Sequence, residues 1–191
     1  MKSVAQVFFL ALASLFFGFN AAKAQEHSHP NTVEIKRESK TVIQFDFSLN
    51  LPTMLHRMLA PQTSYAAFLK AQAELSDSAL DRELDRLSAT LSEKAFLVLP
   101  SGGKLRIKQW QWPDKQGLRV AFMSSWILLN VPQKTNAHID TLRLTASIET
   151  KATIGRVQLQ LPSAMNPILV IVQSDQFWLT DQIPMSILVL D

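Results

Sequence analysis

TVIQFDFSL, residues 41–49, alternates without a break: Ile43, Phe45, Phe47 and Leu49 share one parity, and Gln44, Asp46 and Ser48 the other. Successive side chains of a strand point to opposite faces, so this period of two describes a strand with one face buried and one wet. Pro52 ends the pattern, and a helical stretch follows in three pieces. Residues 53–59 form a short first piece. Thr63 or Ser64 can cap residues 65–75, where Tyr65, Phe68, Leu69 and Gln72 share a face. Ser76-Asp77-Ser78 then offers a cluster of natural N-caps. In residues 79–93, Leu80, Leu84, Leu87 and Leu91 fall at helical spacing, with Asp81, Arg82, Glu83, Asp85 and Arg86 on the opposite side. The spacing predicts helices that lay a leucine stripe on another element.

From Ala95 onward the chain reads as strands. Residues 96–99 and 104–112 flank Pro100-Ser101-Gly102-Gly103, a hairpin turn in which glycine accepts positive φ. Leu105 and Ile107 keep one parity while Trp110 and Trp112 take the other, which predicts a β-bulge near Gln109. Residues 118–131 read as a long apolar strand stopped by Pro132. Residues 141–150 alternate through Leu142, Leu144, Ala146 and Ile148, and Val157, Leu159 and Leu161 repeat the pattern. Residues 168–172, 177–180 and 185–190 complete the series. Turn signals about every 8–12 residues are the mark of a sandwich or barrel.

The expected fold is therefore mainly β: an antiparallel two-layer β-sandwich of immunoglobulin-like size. An α-helical hairpin, about residues 53–93, is inserted after the first strand and packs on a sheet edge or an open end. The alternative is one curved sheet wrapped around the helices, as in periplasmic carriers of lipidated cargo. Both satisfy the requirement that each apolar face be buried against another.

Upstream of residue 41 the sequence is of another kind. Lys2 supplies a positive start, VFFLALASLFF (residues 7–17) an apolar core, and Ala22-Lys23-Ala24 the small residues of a signal-peptidase cut. The apolar stretch falls short of the roughly 20 residues a spanning helix needs. Residues 1–24 are read as a signal peptide, residues 25–40 as a mobile polar lead and the start of the first strand, and residues 41–191 as a single domain. Loss of Lys2 and Lys23 takes the 19 basic residues to 17, against 16 acidic ones. With no basic block either, the balance argues against a nucleic-acid partner or an anionic membrane surface. The absence of cysteine excludes disulfides, thiolate metal sites and cysteine nucleophiles. No second apolar stretch approaches membrane length, so the exported protein, periplasmic or secreted, is expected to make no stable membrane insertion.

Three local features carry possible chemistry. Cleavage after Ala24 exposes Gln25-Glu26-His27, whose amine, two amides and imidazole can wrap Cu(II) or Ni(II) in a square plane, with His29 close by. Cyclisation of Gln25 would remove the amine. Met54, His56 and Met58 form a second set: the methionines, four apart, share a helical face, and thioether with imidazole suits Cu(I). Leu55 and Leu59 beside them favour ordinary core packing. Copper is thus the one cofactor these residues suggest. The third set is aromatic: Trp110, Trp112, Trp126 and Trp178 could form a platform for an apolar partner or a sugar, against the default that tryptophan is mostly buried.

Enzyme signatures are weaker. His56 and His138 stand apart, with no HExxH spacing; no G-x-S-x-G surrounds Ser124 or Ser125; and no Lys-Ser or Lys-Thr follows Gly102-Gly103. The expectation is an exported, non-catalytic accessory or binding protein of a bacterial-type cell envelope. It would contact an envelope protein or a small apolar ligand through exposed sheet edges or its aromatic strands; the C-terminal strand, residues 185–190, is one edge candidate, with Pro184 expected to blunt one end of it. The competing expectations are a periplasmic carrier of an apolar ligand or of copper and, more weakly, a hydrolase using His56 or His138.

Overall fold

The computed structural model describes residues 30–130, 141–150, 155–172 and 175–190. In chain order the elements are β1 (Asn31–Arg37), β2 (Val42–Leu49), α1 (Leu51–Leu59), α2 (Tyr65–Ala73), α3 (Asp77–Lys94), β3 (Phe96–Val98), β4 (Lys104–Arg106), β5 (Lys108–Gln111), α4 (Lys115–Asn130), β6 (Leu142–Glu149), β7 (Arg156–Gln160), β8 (Ile168–Val172), β9 (Asp175–Leu179) and β10 (Met185–Val189). The strands make a six-stranded sheet, in the order β5-β6-β2-β1-β8-β9, and a four-stranded one, β10-β7-β3-β4. The protein is β-rich but mixed α/β.

Strand β2 organises the larger sheet. All four of its odd-numbered apolar residues are buried, and they face Val33 and Ile35 of β1 on one side and Leu144, Ala146 and Ile148 of β6 on the other. The opposite face is polar. Asp46 there accepts from Arg143 at 2.9 Å, and the Lys36 ammonium lies 3.8 Å away. Buried residues of both sheets and of all four helices belong to one apolar cluster.

Four expectations need correction. The larger sheet is not purely antiparallel, because β1 runs parallel to β8, with Asn31 beside Ile168 and Ile35 beside Val172. A parallel pair requires a long crossover, and nothing local to either strand announces it. The helices follow the second strand rather than the first: residues 31–37 are a full strand, which two apolar residues among charged neighbours disguise as a polar lead. Residues 115–130 form a helix, where a strand was expected over 118–131. A mostly apolar stretch, interrupted at Arg119 and Ser124-Ser125, does not distinguish the two. The overlooked signal is Asp114, whose Oδ1 accepts from the Gly117 amide at 2.8 Å, the hydrogen bond of an N-cap. Helical spacing buries Leu118, Phe122 and Ser125 and leaves Val120, Met123 and Ile127 on the exposed face.

The fourth correction concerns the hairpin. Helices α1 and α2 pack on α4, while α3 packs on β5 and β4. Arg119 of α4 ties these groups together. It donates to the Leu75 carbonyl at 2.6 Å and pairs with Asp77 at 2.7 Å, while Lys115 pairs with Asp81 at 2.9 Å. The caps Ser64 and Ser76 do accept the expected amide bonds, from Ala67 and Ala79.

One strand serves both sheets. Residues 104–106 pair with β3, residues 108–111 pair with β6, and Ile107, fully buried, marks the corner between them. The register slips between Lys108 and Gln111, and Gln109 has φ 52°. The bulge expected near Gln109 is therefore present, and it re-aims Trp110 into the core.

Candidate functional site

Strand β10 lies at an edge of the four-stranded sheet and, among the described residues, pairs with β7 alone. Leu188 and Leu190 turn inward, whereas Met185, Ile187 and Val189 are 44%, 50% and 55% exposed, and Ile183 before them 58%. The Leu190 amide donates to the Gly155 carbonyl at 3.1 Å, extending the register that sets Leu188 beside Val157. In an antiparallel pair, bonded and non-bonded positions alternate. Even-numbered residues thus exchange hydrogen bonds with β7, and the odd-numbered ones turn their N–H and C=O toward the open side. Met185, Ile187 and Val189 present apolar side chains and outward backbone groups together. Pro184 belongs to the even series, so its missing donor does not interrupt this open side.

The other three sheet edges differ in kind. Exposed Lys104 and Arg106 mark β4, Lys108 and the Gln109 bulge mark β5, and Asp175 marks β9. Charges and bulges are how sheets discourage added strands. Only β10 carries neither. An exposed, uncharged, apolar edge is the feature a partner strand recognises, with backbone bonds supplying affinity and alternate side chains specificity.

The four tryptophans are not one platform. Trp110 is nearly buried and donates from Nε1 to Ser92 Oγ at 3.1 Å; Trp112 is half-buried and donates to Ser88 Oγ at 2.8 Å. Both therefore anchor β5 and the residue after it to α3. Trp110 also stacks near Phe47, ring centroids 5.5 Å apart. Trp126 is half-buried on α4 and packs on the core. Trp178, 46% exposed, sits on β9 at the far edge of the larger sheet, with β6, β2, β1 and β8 between it and β5.

Of the Met/His set, Met54 is buried, Met58 packs on the core, and His56 lies between the rings of Tyr65 and Phe68, each 5.2 Å from it. The His56 Nε2 bonds to the Thr63 carbonyl at 2.7 Å. Among the described residues no group of three or more His, Cys, Asp or Glu is arranged to hold a metal ion. Gln25, His27, His29 and His138 lie outside the described residues, as does the segment read as a signal peptide. No described helix is long and apolar enough to cross a membrane.

Asp81 is committed to Lys115, and Ser125 is buried with no hydrogen-bond partner for its Oγ among the described residues. The Arg119 guanidinium beside Asp77 holds that carboxyl below its ordinary range, through a hydrogen bond and then through charge. These groups are structural in placement. Comparison with protein-family models, curated proteins and solved structures finds no match to this chain.

Proposed function

We propose that this chain is an exported, non-catalytic binding protein of the cell envelope that captures an extended segment of a partner polypeptide by strand addition at β10. The export reading rests on the N-terminal sequence signature. The observation that carries the binding reading is the contrast among edges: three are charged or bulged, whereas β10 is apolar and, among the described residues, pairs with β7 alone. The same reading takes the two sheets as two layers whose buried faces share the apolar cluster. That arrangement leaves the β10 edge at the rim of the molecule. The captured segment is expected to be uncharged and apolar at every second position, to match Met185, Ile187 and Val189.

Site-specific photo-crosslinking in the producing cell tests it. A benzophenone side chain at Met185 is expected to give one recurrent protein adduct, and one at exposed Lys70 on α2 none. Ile187→Pro removes an outward amide without touching the β7 ladder and should abolish the adduct. Equal adducts at both positions, no adduct, or indifference to Ile187→Pro would refute strand addition. An adduct of twice the chain's mass would identify the partner as a second copy.

A further inference from the structure

The geometry points to a second site, independent of β10: a surface cavity at the corner between the sheets that binds a ligand bearing two or more phosphate groups. Where the chain turns at Ile107, residues 104–106, 108–109 and 147–149 line a half-open hollow of about 540 Å³. That is within the range of small-molecule sites, roughly 300–1,000 Å³. Ile107 is buried, so strand alternation sends Arg106 and Lys108 outward, and Lys104 precedes them on the same parity. Lys104 and Arg106 are two apart on β4, about 6.6 Å along that strand, and Lys108 follows just past the corner, so all three cations line the same hollow.

Their charge is largely uncommitted. Lys104 lies over the Phe96 ring, 4.2 Å from its centroid, and among the described residues Arg106 and Lys108 have no ion-pair partner. The one acid in the lining, Glu149, accepts from Gln109 Nε2 at 3.2 Å. Three cations against one acid leave a local excess larger than that of the whole chain after Ala24, 17 basic against 16 acidic. Gln109 Oε1 in turn accepts from Ser147 Oγ. Both ends of the Gln109 side chain are thus tied to β6, which fixes a residue whose φ of 52° is unfavourable without such support.

Edge protection accounts for lysine and arginine on β4 and β5. It does not account for a concave surface, three cations without an acid partner among the described residues and a hydrogen-bonded backstop at one place. Guanidinium and ammonium groups lining one hollow suit a ligand with several phosphates, because Arg grips phosphate oxygens in pairs and Lys adds point charge. Free oligophosphate and the two-phosphate headgroup of cardiolipin share that chemistry.

Titration calorimetry with sodium tripolyphosphate, and co-sedimentation with phosphatidylcholine vesicles with and without cardiolipin, whose headgroup carries two phosphates, test the inference on the exported chain. Binding is expected in at least one arm, weakening as salt is raised, since exposed charges are screened. The combined substitutions Lys104→Gln, Arg106→Gln and Lys108→Gln should weaken it about tenfold or more. The charge-matched set Lys70→Gln, Arg82→Gln and Arg86→Gln should leave it within about twofold. Tripolyphosphate binding alone identifies a free anion, and vesicle binding alone a lipid headgroup. No binding in either arm, or equal loss in the two triple variants, would overturn the site. All six positions are exposed and, among the described residues, without an ion-pair partner, so unchanged unfolding temperatures are expected to verify the fold.

Discussion

Alanine in place of Leu118, Val120 and Phe122, one at a time, asks whether residues 115–130 are a helix. In a strand these three side chains would share one face and cost comparable amounts. In the helix, Leu118 and Phe122 are four apart and fully buried, whereas Val120 is 57% exposed. Phe122 meets the Phe68 ring edge-on, with centroids 6.2 Å apart at 85°. Removing a buried phenylalanine costs about 3–5 kcal/mol, of which such a ring pair supplies roughly 0.5–1.5. Leu118→Ala should cost about 2–5 kcal/mol. Val120→Ala removes little packing and gains about 0.5 kcal/mol of helix propensity, so its net effect should be neutral or slightly stabilising. Urea unfolding followed by tryptophan fluorescence reads all three. With a slope of about 1–3 kcal/mol per molar, Phe122→Ala should lower the midpoint by about 1 M or more. A Val120→Ala loss above about 1.5 kcal/mol, or a Phe122→Ala loss below about 1, would refute the helical reading.

Three further outcomes follow from the same contacts. Ser125→Ala removes a buried hydroxyl that has no partner among the described residues, and should raise stability by about 1 kcal/mol in the same assay. Ser92→Ala strips the acceptor from the nearly buried Trp110 indole and should cost about 1–3 kcal/mol, with a change in tryptophan emission. Because Arg119 lowers the Asp77 pKa below its ordinary 3.8, the unfolded chain binds that proton more tightly than the folded one. The stabilisation is therefore full above the unfolded value and fades as pH falls through the folded one. The gap in melting temperature between the protein and Asp77→Asn should be constant above about pH 5 and close below about pH 4. A gap that persists at low pH would show that the residue acts through something other than its charge.

Much of the local structure was legible because a periodic pattern reports directly on one-sided burial. The alternation of residues 41–49 and 141–150 defined β2 and β6. The leucine spacing and the caps Ser64 and Ser76 defined α2 and α3, and the parity switch placed the bulge at Gln109. The C-terminal strand could be named as an edge candidate from its sequence. What a pattern cannot report is which surface does the burying. Residues 118–130 are mostly apolar, with no clean period of two or of 3.6, so only the packing of Leu118 and Phe122 against the other helices decides for a helix. The pairing of β1 with β8 joins segments that lie far apart in the chain, and neither carries a mark of the other. Whether a tryptophan is a platform or an anchor depends on Ser88 and Ser92, one helix away. The corner cavity exists only because one strand crosses between sheets, bringing cations spaced along it against Ser147 and Glu149 of β6. Periodicity is a local property of the chain; register, edges and cavities are properties of pairs of segments, and those are settled only when the segments meet.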